Sequence, residues 1–171
     1  MKYIKLFEEF INENIGPLHP VIKLLDKHYK LATTGTESAR WAYQKDHCPD
    51  DEKESFTFLE RRDLADAEDG LTKAKKIADR IDKMSKDFDA PVKDFIQYYI
   101  NDWVDMSRKW GLASKTVFGA EQSCQQFNMG CENVKKLKDE FKKVSAEYEK
   151  VKEELEAKRV AAGAVWTKIQ M

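Results

Sequence analysis

Apolar residues recur every three or four positions along most of this chain, and no stretch alternates in the way a half-buried strand requires. Tyr3, Phe7, Phe10, Ile11 and Ile15 share one face of a first amphipathic helix, with Lys5, Glu8, Glu9 and Asn12 on the other. Gly16-Pro17 and Pro20 end it and open a second helix, Val21 to about Ala32, striped by Ile22, Leu25 and Tyr29. Thr33-Thr34-Gly35 closes this two-helix arm, residues 1–34. A Thr34-x-x-Glu37 capping box then introduces a short helix carrying Trp41 and Tyr43, which stops at His47-Cys48-Pro49.

Residues 35–171 are expected to form a helical bundle. A long helix opens at Pro49-Asp50-Asp51-Glu52, where proline suits the first turn and the carboxylates complement the positive end of the dipole. Its buried seam is Leu64, Ala67, Leu71, Ala74, Ile77, Ile81, Met84 and Phe88, with Gly70 a tolerated weak point. Asp89 caps the next helix, Pro91 to about Trp110, whose inner face is Phe95, Tyr99, Trp103, Met106 and Trp110 and which Gly111 ends. Beyond Ser114 the pattern stays helical, loosened at Gly119 and Gly130.

The clearest repeat is a heptad seam of Val134, Leu137, Phe141, Val144, Tyr148, Val151 and Leu155, continued by Ala162, Val165 and Ile169. With Val134 at position a, Glu140, Glu147 and Glu154 fall at g, and Lys138, Ser145, Lys152 and Arg159 at e. Two parallel copies would pair Glu147 with Lys152 and Glu154 with Arg159, whereas antiparallel copies would oppose glutamates. Two uses are open to this seam. It is either a parallel homo-oligomer interface or a face packed on the chain's own helices. Phe141 and Tyr148 at a, with valine at d, are poor zipper choices and favour the second. The expected fold is all-α: an elongated bundle of about three long helices, with a two-helix N-terminal arm and a coiled-coil-like C-terminal helix.

Composition sharpens this picture. At 171 residues the chain suits one compact domain, and its 36% charged residues exceed the roughly 25% of ordinary globular chains, as long solvated helices would. Thirty basic against 31 acidic side chains leave a net charge of −1, so no global field draws the protein to nucleic acid. No apolar run approaches the ~18 residues of a membrane span. Glu8 and Glu9 interrupt the place where a standard secretion signal would be apolar. The three cysteines lack framework spacing and fit a reducing compartment; Cys124 and Cys131, placed on one helix, would lie ~10 Å apart along its axis, too far to bond.

Candidate chemistry is sparse. Di-iron bundles need Glu-x-x-His, but Gly16, Leu25 and Gln44 stand three residues before His19, His28 and His47. His47-Cys48 has no Cys-x-x-Cys partner for zinc and makes no catalytic dyad by itself. Tyr98, Tyr99, Trp103 and Trp110, with Asp94, Asp102 and Asp105, form either an acid/base site with stacking rings or, as aromatics at helical spacing usually do, a core with a wet face. Lys135, Lys136, Lys138, Lys142 and Lys143 interleave with Glu132, Asp139 and Glu140, which suggests pairing along the helix and not a phosphate track. No catalytic, cofactor-binding or metal residues are therefore assigned, and the chain is expected not to be an enzyme.

The opening Met1-Lys2-Tyr3-Ile4-Lys5-Leu6-Phe7-Glu8-Glu9-Phe10-Ile11-Asn12-Glu13 resembles an N-terminal peptide of small proteins from large contractile-tailed bacteriophages. In that group such peptides direct proteins into the assembling prohead, where a protease cuts after glutamate in Leu/Ile-x-Glu. Leu6-Phe7-Glu8 and Ile11-Asn12-Glu13 fit, which implies processing after Glu8 and Glu13, and no other leucine or isoleucine is followed by glutamate two positions on. The resemblance covers this peptide alone. It implies a non-enzymatic, virion- or assembly-associated phage protein, found in the virion or infected-cell cytoplasm. Phe7, Phe10 and Ile11 would meet a phage assembly protein, or fold back on the bundle. The alternative is an intracellular helical module that binds or inhibits a host factor. No cofactor, nucleic acid or membrane partner is expected.

Overall fold

The structure, a computed structural model, describes residues 18–34, 58–128 and 130–163, with side chains placed from residue 20 in the first segment and 65 in the second. The expected first helix with Phe7, Phe10, Ile11 and both glutamate triplets lies outside these residues. So do the short helix of Trp41 and Tyr43, the helix start at Pro49, and Val165 and Ile169.

Every described segment is helical or a short connection between helices. Helix α1 (Leu18–Ala32) carries Pro20 in its first turn, where the missing N–H is one that lacks an intrahelical acceptor anyway. Val21, Leu25, His28 and Ala32 are buried along one stripe. At its end the Thr33 and Thr34 hydroxyls donate to the Tyr29 and Lys30 carbonyls, each at 2.9 Å, and occupy acceptors that the helix leaves open. Expected as the second half of an arm, α1 is itself a core helix, because Val21 and Leu25 are fully buried in the same cluster as Ile81, Phe95 and Leu155.

Helix α2 (Phe58–Met84) meets α1 through small residues, Ala67, Gly70 and Ala74. A Cβ at Gly70 would lie 2.6 Å from the Leu31 carbonyl oxygen and 3.2 Å from Thr34 Cβ, so this glycine is required by a close backbone approach and is no mere weak point. His28 Nδ1–H donates to the Ala74 carbonyl at 3.0 Å across the same contact. Leu71, expected in the seam, is 37% exposed instead; it sits at the edge of a stripe whose middle is held by Gly70 and Ala74. The helix stops at Met84, and a turn closed by Phe88 N–H to Ser85 O at 3.1 Å lays Phe88 half-buried against the core.

Helix α3 (Ala90–Tyr98) begins after Asp89, which has the extended backbone of an N-cap (φ −61, ψ 152) although its carboxylate makes no capping bond. A π turn, Tyr99–Trp103, follows without interruption and is closed by Val104 N–H to Tyr99 O. Helix α4 (Val104–Phe127) continues the same rod. Gly111 therefore does not end a helix. The rod ends where Asn128 adopts the left-handed conformation (φ 54, ψ 34) and returns its N–H to Cys124 O, with Gly130 also left-handed (φ 66). Helix α5 (Cys131–Ala162) runs back antiparallel along α4 and α3 and ends at Gly163 (φ 106).

This reversal overturns the expectation for the cysteines. They are not on one helix: Cys124 closes α4 and Cys131 opens α5, their Cα atoms lie 4.8 Å apart, and the two are joined as a disulfide. The three long helices are thus α2, the α3–π–α4 rod and α5, with α1 wedged among them.

Candidate functional site

The heptad seam of α5 faces the α3–α4 rod of its own chain. Leu155 is fully buried and Leu137 nearly so, while Phe141, Val144, Tyr148 and Val151 are half-buried. Tyr148 stacks on Trp110 with ring centroids 5.1 Å apart and tilts against Trp103 at 5.2 Å; Trp110 also meets Phe141 at 5.9 Å. Trp110 Nε1–H donates to Ser145 Oγ at 3.2 Å. Apolar and aromatic side chains at a and d thus form a tilted stack between two antiparallel helices, and the flanking charges turn to the same neighbour. Glu147, at a g position, pairs with Lys109 at 2.7 Å, and Lys138, at e, with Glu121 at 2.6 Å. The Lys109 bond holds the Glu147 carboxyl below the usual carboxylate range. Such exposed pairs add little stability, but they fix the register of α5 on α4.

The aspartate-aromatic cluster resolves into core and surface. Tyr99 and Trp103 are buried, and Asp94, Asp102 and Asp105 are exposed. Burial pushes the hydroxyl of Tyr99 well up, and pushes that of Tyr98 up to about 12 with help from a hydrogen bond to Glu154. Asp94 accepts from Lys158 at 2.8 Å, and the Lys158 ammonium also lies 5.0 Å from the centroid of the Tyr98 ring. Lys158 is raised above its ordinary value mainly by the Asp94 bond. The aspartates thus face solvent while the rings face inward. The lysine-rich stretch likewise pairs along its helix, Lys142 with Asp139 at 3.6 Å and Lys136 with Glu140 at 3.9 Å.

Among the described residues, the buried side-chain atoms His28 Nε2, Trp103 Nε1 and Ser107 Oγ have no hydrogen-bond partner. Trp103, the last residue of the π turn, and Ser107 lie one turn apart on the inner face of the rod. Sequence reasoning missed that turn. Its signal is the spacing of buried Phe95, Tyr99, Trp103 and Ser107 at constant intervals of four, which a regular helix would let drift by about 40° per step.

Further along the hairpin, a groove of about 300 Å³ between α4 and α5 is lined by Ala113, Thr116, Val117, Leu137, Phe141 and Val144, with Glu140 at its edge. On the same hairpin Phe118 and Phe127 are 51% and 68% exposed. Among the described residues, no three His, Cys, Asp or Glu side chains converge as a metal site, and no helix is long and apolar enough to cross a membrane. In comparisons of the chain with protein families, curated proteins and solved structures, nothing matches.

Proposed function

We propose that this chain is a non-enzymatic phage protein, associated with the virion or its assembly, that acts through helix-mediated protein contacts. The observation that carries the reading is the N-terminal peptide: an amphipathic stripe of Phe7, Phe10 and Ile11 overlapping two Leu/Ile-x-Glu triplets within residues 1–13. Such a stripe is rarely left in water, so it meets either the bundle or an assembly partner. Deletion of residues 1–13 separates these outcomes. As an address, the peptide is dispensable for the melting temperature but needed for entry into particles, and fused to an unrelated protein it carries that cargo in. Normal packaging of the truncated protein, with the fused cargo left outside, would falsify the targeting role.

A second reading, a helical module that binds a host factor, is favoured by Phe118 and Phe127, two large apolar side chains exposed on the α4–α5 hairpin. It needs no targeting peptide. Phe118→Ser with Phe127→Ser should then abolish capture of one host protein and leave the residues 1–13 fusion experiment unaffected.

A further inference from the structure

The tip of the α4–α5 hairpin holds a pair of sulfurs that the proposed contacts do not use. Cys124 lies in the last turn of α4, Cys131 is the first residue of α5, and the left-handed residues Asn128 and Gly130 between them bring their Cα atoms to 4.8 Å. Both cysteines are half-exposed, and the chain between them, Gln125 to Asn128, is exposed throughout. Among the described residues, the backbone bonds at the reversal include Asn128 N–H to Cys124 O, shared with Ser123 O, and Asn133 N–H to Gly130 O, the first and last at 3.0 Å. Further along α5, buried Leu137 and the Lys138–Glu121 pair tie the helix inward.

We propose that Cys124–Cys131 is a reversible redox clasp, opened by a dithiol reductant, whose state sets how tightly the hairpin tip is closed. A reductant thiolate attacks Cys124 Sγ; the bond to Cys131 breaks, and its electron pair leaves on Cys131 Sγ, which takes a proton from solvent. The reductant's second thiol then displaces Cys124 from the mixed disulfide. Two electrons and two protons pass to the protein, and the reductant departs as a disulfide. Cys131 is the better leaving group because it sits at the positive end of the α5 dipole with Lys135 one turn on, although Glu132 beside it opposes this. The core around Trp103 and Leu155 takes no part in the change.

The test uses the full chain. Alkylation and peptide mapping after treatment with excess glutathione disulfide should find Cys124 joined to Cys131 and Cys48 outside the pair; dithiothreitol should free both cysteines. Amide exchange followed by mass spectrometry should then rise about tenfold or more over residues 122–133, and stay unchanged over 95–110 and 148–155. Cys124→Ser should reproduce the reduced pattern with or without dithiothreitol. Free thiols at both positions after oxidation, or either one joined to Cys48, would overturn the pairing. Identical exchange in oxidised and reduced protein would overturn the clasp even if the bond forms.

Discussion

Gly70 shows how one hydrogen can govern the joining of two helices. Its Cα lies beneath the Leu31 carbonyl, and the obstacle to a methyl group there is backbone, which cannot rotate aside. Gly70→Ala is expected to destabilise the fold by about 1–3 kcal/mol, the usual range for overpacking, although alanine is the better helix former. Urea titration of the two proteins measures this directly, and an unchanged or raised midpoint would mean that α1 and α2 do not meet as described. The glycines also mark where sequence reading runs out. Gly70, Gly111 and Gly130 are equivalent as letters, yet the first permits a close approach, the second lies inside a continuous rod, and only the third is part of a reversal. Local propensity cannot separate them, since the distinction comes from what lies across from each.

Helix α5 was the most legible part of the chain, because a long uninterrupted period of three and four identifies a buried stripe whatever covers it. What covers it was not legible: the same heptads suit a second copy or the chain's own α4, and the tilted stack of Trp103, Trp110, Phe141 and Tyr148 lies on the second. Burial separates the stripe from the outer face of the same helix. Leu155→Ala, at a fully buried position, should cost about 2–5 kcal/mol, whereas Val160→Ala, at a position 69% exposed, should change the melting temperature little. Similar losses at both sites would indicate that α5 is covered on a face described here as open. The candidate site was read less well than the fold. Phe118 and Phe127 carry no periodic signal apart from the stripes, and the cysteine pair depends on a reversal placed by Asn128 and Gly130.

Across the whole molecule, the buried face of the rod and the seam of α5 enclose phenols whose ionisation opposes folding. Tyr98 is pushed up to about 12, and Tyr99 and Tyr148 are raised too, each first by burial. An unfolded phenol titrates near 10, so below that pH the stabilising contribution of these groups is complete; it is lost as pH rises from 10 towards 12. The melting temperature should fall over that interval, and tyrosinate absorbance should rise late for these residues; normal titration of all six tyrosines would contradict the packing. Because the α5 seam is already occupied by α4, the chain is expected to sediment as a monomer, and a concentration-dependent dimer would show that the seam can be exchanged between copies. The π turn gives the chain one further property. It acts as a phase shift: an extra residue stored at Tyr99–Trp103 sets the rotation of all 24 residues of α4 relative to α3. Removing one residue there would let the segment close as regular α-helix with Trp110 and Thr116 still facing α5, whereas removing one from the regular turns before Trp110 would swing both away by about 100°. Descent with insertions and deletions would thus tolerate the loss of one codon within the π turn, or length changes in the turn at Asn128–Gly130, far better than a single lost codon in the regular part of α4.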